Sequence, residues 1–325
     1  VRDIRIVAGL GGQAGDEAVA ALAGAGVDEL FVGYVPEAWA ERYGFEASPN
    51  RRYRSRIQIG AREQLARVVQ AASTLGLLTH VALNEHLIAP EQLPLADEIA
   101  ATALEVGAHG LILGSLPLAA RYHRRHPDAH LVASGEAPVY NRAALELAAR
   151  LGFSRIILPR ETNLADLEAL ATPAADLGLE LEAFLLGEWC AFNGALCLTC
   201  HGYGTARDFC SSHTARVVLD TASRTAAFER PVETEEARRA DREAISPVMR
   251  PNTGGCNLCA LARLRELGVR YVKVPGRSTE ALETVRRVRA LLDRGDLSPA
   301  ACRAALDDPA YCNGSNCWLR PAGSL

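Results

Sequence analysis

The amino-acid sequence predicts a closed (β/α)8 barrel of the TIM type. Short runs rich in Val, Ile and Leu alternate with longer amphipathic stretches, as parallel strands and their covering helices do. Eight such pairs can be counted, and no Pro/Gly/Ser-rich linker divides them into two open sheets.

The first strand is RIVA at 5–8, and AGLGGQAGD leads from it into a helical pattern at 16–25. Gly9, Gly11, Gly12 and Gly15 invite a dinucleotide reading. A Rossmann unit, however, needs a second strand ending on an acidic ribose partner, whereas the second strand here, 29–33, runs into VGYVP. The glycines are therefore read as a tight βα turn. Strands three to six fall at 78–83, 110–114, 130–134 and 155–159, with helices at 61–75, 93–106, 116–123, 142–151 and 163–177. His80, on the apolar third strand, reads as a satisfied core histidine. The seventh strand, 181–186, is separated from its helix, 259–267, by a long insertion at 188–255. The eighth strand, 271–275, and a helix at 279–292 close the barrel. Residues 1–297 thus form the barrel with its insertion, and 298–325 a short C-terminal tail. The insertion far exceeds an ordinary βα loop, and it leaves the C-terminal end of a strand, the face on which such barrels carry chemistry.

Composition narrows the class. Nine cysteines, no apolar run behind basic residues at the start and none long enough to span a bilayer describe a soluble, cytoplasmic chain without structural disulfides and without membrane insertion. A net charge of −4 does not call for nucleic acid, so RNA ranks behind a small molecule as substrate.

The cysteines carry the sharpest signal. Cys190, Cys197, Cys200 and Cys210 lie in one short segment, and Cys256 and Cys259 form a CxxC where the insertion ends. The Cys190-x6-Cys197-x12-Cys210 spacing fits no zinc finger or ribbon and suits an iron–sulfur cluster at least as well. Cys190, Cys197 and Cys210 are the expected ligands, with the fourth drawn from Cys256, Cys259 or Cys200. The CxxC stands at the start of a helix, where amide dipoles favour thiolates. Cys302 reads as a buried core thiol, and Cys312 and Cys317 as a second metal corner, a redox pair or tail packing.

ASGEAPVYNRAAL, GFSRIILPRET, LEAFLLGEWCAFNGALC and LRELGVRYVKVPGR resemble, in that order, the motifs of the peptidase U32 family. The resemblance implies a 4Fe–4S cluster and oxygen-independent hydroxylation, with a carboxylate such as prephenate as co-substrate, more firmly than it implies the collagenase-like proteolysis for which the family was named. The chain departs from the family where His-Gly becomes Leu186-Gly187 and where Ser-Thr-Gln becomes Ser134-Gly135-Glu136.

Strand-end residues supply the rest of the expected site. Arg51, Arg52, Arg160 and Arg277 are candidate clamps for a substrate carboxylate, because a guanidinium holds a carboxylate through two parallel bonds. Glu161 and Lys273 complete a polar floor, and Glu136 is the candidate acid/base. The leading expectation is an iron–sulfur enzyme hydroxylating a small molecule. The alternatives are a peptidase, for which no HExxH occurs, and a non-catalytic cluster-bearing subunit that scaffolds a paralogous U32 partner.

Overall fold

A computed structural model of the chain describes residues 4–45, 47–52, 55–160, 162–187, 194–197, 215–220, 225–231, 255–275, 280–306, 317 and 319. Eight parallel strands close into a barrel: β1 (Arg5–Gly9), β2 (Glu29–Gly33), β3 (Leu78–Leu83), β4 (Gly110–Leu113), β5 (His130–Ala133), β6 (Phe153–Ile157), β7 (Glu180–Phe184) and β12 (Tyr271–Val274). Their order around the barrel is β1-β12-β7-β6-β5-β4-β3-β2.

The covering helices are α1 (Asp16–Gly24), α3 (Arg62–Thr74), α4 (Leu93–Glu105), α5 (Leu116–Arg125), α6 (Arg142–Arg150), α7 (Leu164–Asp176), α8 (Leu261–Glu266) and α9 (Glu280–Arg294). Two further helices, α2 (Glu37–Tyr43) and α10 (Pro299–Ala304), have no counterpart in the sequence reading. Both are short, which leaves too few turns for a periodic signal. In α3 the apolar positions Leu65, Val68, Val69 and Ala72 repeat at three- and four-residue spacing and are buried. Asn141 caps α6 by accepting from the Ala144 amide at 2.9 Å, and Asn163 caps α7 from Asp166 in the same way. None of the described helices is long and apolar enough to cross a membrane.

Gly12 sits where the β1–α1 turn meets the loop before α3. A Cβ at this position would lie 1.9 Å from the Gln58 carbonyl oxygen, so only glycine permits the approach. Gln64 also donates to the Gly12 carbonyl at 2.5 Å. The glycine-rich turn is thus packed against protein.

Alternate residues of every strand point into the barrel. Val7, Phe31, Ala82, Ile112, Val132, Ile157, Phe184 and Tyr271 form an apolar inner layer. Beneath it, toward the N-terminal ends of the strands, the inner positions are charged. Arg155 on β6 reaches across to Glu29 on β2 through Nη1 and Nη2, at 3.0 and 2.9 Å, and donates to Glu182 on β7 at 3.1 Å. Lys273 on β12 donates to the other Glu182 oxygen at 3.1 Å. Glu29, Arg155 and Glu182 are each 1% exposed. Burial by itself would raise the Glu29 carboxyl, but His80 and Arg155 outweigh it and hold the group well below the usual carboxylate range.

Among the described residues, four short strands lie in the insertion or at its two ends. β8 (Leu186–Gly187) pairs antiparallel with β11 (Gly255–Cys256), so its entry and exit strands run side by side, while β9 (Ala215–Asp220) and β10 (Thr225–Pro231) form a separate antiparallel pair.

Removing a partner from a buried ion network leaves an uncompensated charge. Arg155→Ala should therefore lower the unfolding free energy by about 3–5 kcal/mol in urea denaturation. Arg142→Ala, which removes an exposed pair to Glu146, should change it by about 0.5 kcal/mol or less. Equal effects of the two would show that Arg155 does not hold the barrel.

Candidate functional site

The C-terminal mouth of the barrel gathers charged side chains from consecutive strand ends. Glu136 follows β5, Arg160 follows β6, Glu85 and His86 follow β3, and Arg51 arrives from the loop after α2. Arg160 Nη1 lies 3.4 Å from Glu136 Oε1, and Arg51 Nε and His86 Nε2 each lie 3.9 Å from Glu136 Oε2. Arg51 also reaches Glu85 Oε1 at 3.4 Å.

Arg51 is a non-glycine residue held at φ 57, a left-handed backbone that costs of order 1 kcal/mol or more and recurs at binding sites. A buried set of polar side chains fixes the loop: Asn50 Nδ2 donates to Gln58 Oε1 at 2.8 Å, Gln58 Nε2 returns to Asn50 Oδ1 at 2.9 Å, and Gln58 also donates to the Arg52 carbonyl. The Arg160 guanidinium lies 4.1 Å over the Phe184 ring, which orients it. Its Nε and the Asn84 Oδ1 are buried with no hydrogen-bond partner among the described residues.

Protonation follows from these contacts. Burial pushes the Glu136 carboxyl upward, but Arg160, Arg51, His86 and Arg52 together overcome it and hold the group below its ordinary value. Glu136 is a carboxylate at neutral pH, so it can accept a proton but carries none to give. His86 Nε2 lies 2.9 Å from the Gly194 carbonyl, which only accepts, so Nε2 bears the proton. That nitrogen is a donor and is not free to act as a base.

Gly194 opens a 3₁₀ turn, Gly194–Leu196, that ends on Cys197, whose amide donates to the Gly194 carbonyl at 3.2 Å. A Cβ at Gly194 would lie 2.6 Å from Glu136 Oε2. The turn thus rests on Glu136 through Gly194, and Cys197 follows at its end, at the mouth. Cys256 reaches the same end of the barrel from the other side, because β11 places it opposite Leu186, just past β7. Asn257 fixes this corner: its Nδ2 donates to the Phe184 carbonyl at 2.7 Å, and its Oδ1 accepts from the Leu319 amide at 2.7 Å.

The tail folds onto the CxxC. The backbone of Cys317 pairs with that of Cys256 in a single parallel β-bridge, and Cys302 on α10 is buried with its Sγ donating to the Leu258 carbonyl at 3.3 Å. Burial, then Cys259 and Cys256, pushes the Cys302 thiol up to about 12, so it remains a thiol. Cys259 is exposed.

Of the residues singled out from sequence, the structure brings Glu136, Arg160, Arg51 and Cys197 into one neighbourhood and puts Cys256 at the same barrel end. Lys273 lies inside the barrel, level with Val7 and Phe184, paired with Glu182 and 3.9 Å from the Phe31 ring centre. Cys190, Cys200, Cys210, Cys312, Glu161 and Arg277 lie outside the described residues. Glu85 and His86 were missed, although the strand-end position that selected Glu136 and Arg160 applies equally to LNEH at 83–86.

A (β/α)8 barrel with a guanidinium–carboxylate mouth, against which the turn 194–197 of a cysteine-bearing insertion rests, is the class of protein that this fold and site define. The chain belongs to peptidase family U32, whose description matches residues 16–299. A curated relative, "tRNA hydroxylation protein P" of Escherichia coli (strain K12), is 26% identical over 185 residues, which cover 56% of this chain and 36% of that protein. The chain therefore spans about a third of the length of that relative. Among solved structures, the U32 peptidase Mk0906 is similar with a TM-score of 0.44 and 12% identity, covering 84% of this chain and 93% of that one. The citrate synthase SbnG gives 0.36 and 11%, covering 56% and 78%.

The low Glu136 value has a signed consequence. A carboxyl whose folded pKa is depressed contributes stability that is present above its unfolded pKa, about 4.3, and is lost as pH falls through the folded value. The stability difference between the wild type and Glu136→Gln should therefore be largest above about pH 5 and shrink on acidification. A difference that stays constant from pH 6 to pH 3 in parallel denaturation curves would contradict the ion contacts to Arg160 and Arg51.

Proposed function

We propose that this U32 protein is an iron–sulfur enzyme that hydroxylates a small molecule without molecular oxygen, using a carboxylate co-substrate such as prephenate held at the barrel mouth. The observation that carries this reading is the convergence of Arg160 and Arg51 on one carboxylate, Glu136, beside the cysteine turn. An arrangement that holds a protein carboxylate between guanidiniums can exchange it for a ligand carboxylate, since the same charge-assisted bonds serve both. The buried Arg160 Nε, without a partner among the described residues, is a donor left over for that ligand.

The donor chemistry of the mouth fits a thiophilic metal group. Cys197 and Cys256 both stand at this end of the barrel, and Cys190 and Cys210 are the proposed further ligands, with Cys259 as the alternative to Cys256. When bound, a 4Fe–4S cluster would supply one-electron chemistry or an open iron at the mouth. The chain's own residues do the remaining work. Arg160 and Arg51 orient the carboxylate, Glu136 accepts a proton, and His86 fixes the Gly194 turn so that Cys197 stays beside them.

The name of the curated relative supports hydroxylation as the reaction type. A tRNA substrate is the second reading that this name favours, and the acidic balance of the chain, −4, weighs against it because phosphate backbones are held by an excess of Lys and Arg. Peptide cleavage is the less favoured use of the site, because the His86 nitrogen nearest Glu136 is already engaged as a donor.

Anaerobic purification with iron and sulfide analysis tests the cofactor. The wild type should be brown, Cys197→Ala and Cys256→Ala should lose most of their iron, and Cys302→Ser should keep it, because that thiol is protonated and bonded to a carbonyl. In the same preparations Arg160→Ala should weaken prephenate binding by about 1.5–3 kcal/mol, read by calorimetry, with iron content unchanged. A colourless wild type would remove the cluster, and unaltered binding in Arg160→Ala would remove the clamp. Hydroxylated product from tRNA, but from no small molecule, would move the substrate to RNA.

A further inference from the structure

Three histidines meet at the opposite end of the barrel, away from the insertion. His80 is the third residue of β3, His109 immediately precedes β4, and His130 opens β5. The register aligns His80 with Gly110 and Gly110 with His130, which stacks the three positions around one rim. One ring nitrogen from each histidine lies within 4.8 Å of those from the other two. The His109 and His130 rings stack at 4.9 Å, and His80 meets each of them edge-on.

We propose that His80, His109 and His130 form a second metal site, for one divalent ion of the zinc class, at the N-terminal rim of the barrel.

The distances favour an ion. His80 Nε2 and His130 Nδ1 are 3.0 Å apart. Two nitrogens on a tetrahedral zinc are separated by about 3.3 Å, given bonds of about 2.0–2.1 Å. Both rings are thus already close to ligand spacing without movement of β3 or β5. His109 is exposed and stands before its strand, so it can turn inward to complete the set. His80 is buried and His130 half-buried, which leaves the solvent side as the path of entry and as the fourth coordination position.

The atoms behind the rings are those that a metal site requires. His80 Nδ1 lies 2.8 Å from Glu29 Oε1, and His130 Nε2 lies 3.7 Å from Glu180 Oε2. Carboxylates on the far nitrogen fix the tautomer of a ligating histidine and raise its basicity. With the His80 proton on Nδ1 facing Glu29, His80 Nε2 is an acceptor, and the 3.0 Å contact is completed by a proton on His130 Nδ1. Metal binding then requires one tautomeric shift, in which the His130 proton moves from Nδ1 to Nε2, toward Glu180. No net proton leaves the site. Arg155 and Lys273 already pair with Glu29, Glu180 and Glu182, so these carboxylates stay behind the rings and a solvent water takes the open position. Imidazole ligands with an open position suit zinc, nickel and copper better than magnesium or calcium.

Cobalt(II), titrated under anaerobic conditions into the full chain with its thiol sites already loaded, separates this site from the cysteines. The expected result is one bound equivalent with ligand-field bands and no sulfur-to-metal charge-transfer band. His109→Ala, at an exposed position that leaves the core untouched, should abolish that equivalent, and His130→Gln should do the same. Glu180→Gln should weaken binding by about tenfold or more through the ring it faces. Zinc should also raise the melting temperature of the wild type and leave that of His109→Ala unchanged. The proposal is overturned if His109→Ala binds cobalt as the wild type does, or if every bound cobalt shows the sulfur band.

Discussion

One guanidinium decides how this barrel closes. Arg155 spans the interior from β6 to β2 and also grips β7, so three strands far apart in sequence are referenced to a single planar group. An apolar interior tolerates a one-residue slip at modest cost, whereas a slip here would expel a charge to the helix side and leave its partners buried and alone. Lys273 and His80 extend the same constraint to β12 and β3. The stagger of the strands is therefore tied to pairing of charge, with the apolar layer above filling the space that this pairing defines.

That layering gives the two ends separate chemistry. Phe31, Ile112, Ile157 and Phe184 are buried between Arg155 and the mouth, and Lys273 reaches through this layer along the Phe31 ring. Lys273, expected from sequence in the polar floor of the mouth, is level with Phe184 and Val7 across the register, and its Nζ turns down to Glu182. Arg160 stands above Phe184 and faces the ligand side.

Much of the architecture was legible because period is a local property. The strands 29–33 and 78–83 and the helices at 61–75 and 93–106 could be placed from alternation of apolar runs alone, and the insertion declared itself by its length. The clamp was legible in part, since strand ends in a barrel point to one face and Glu136, Arg160 and Arg51 all lie near such ends. What could not be read was coincidence across the barrel. Glu29, His80, His130, Arg155 and Glu182 each occupy an inward position early in a strand, and a scan for polar residues at period two would have flagged them. Which of them touch depends on the stagger, which no single strand encodes. His80 was read as a satisfied core residue; its two partners come from different strands, far along the chain. Cys302 likewise looked isolated, because its approach to Cys259 exists only once the tail returns to the barrel.

The contact at Gly194 is made by backbone against a carboxylate, with no side chain between them. The spacing from the cysteine turn to the barrel is therefore set by the absence of a methyl group and owes little to the residues on either side. Such a joint works as a gauge: a single added carbon at position 194 would press on the Glu136 carboxylate and force it to turn away from the arginines that hold it.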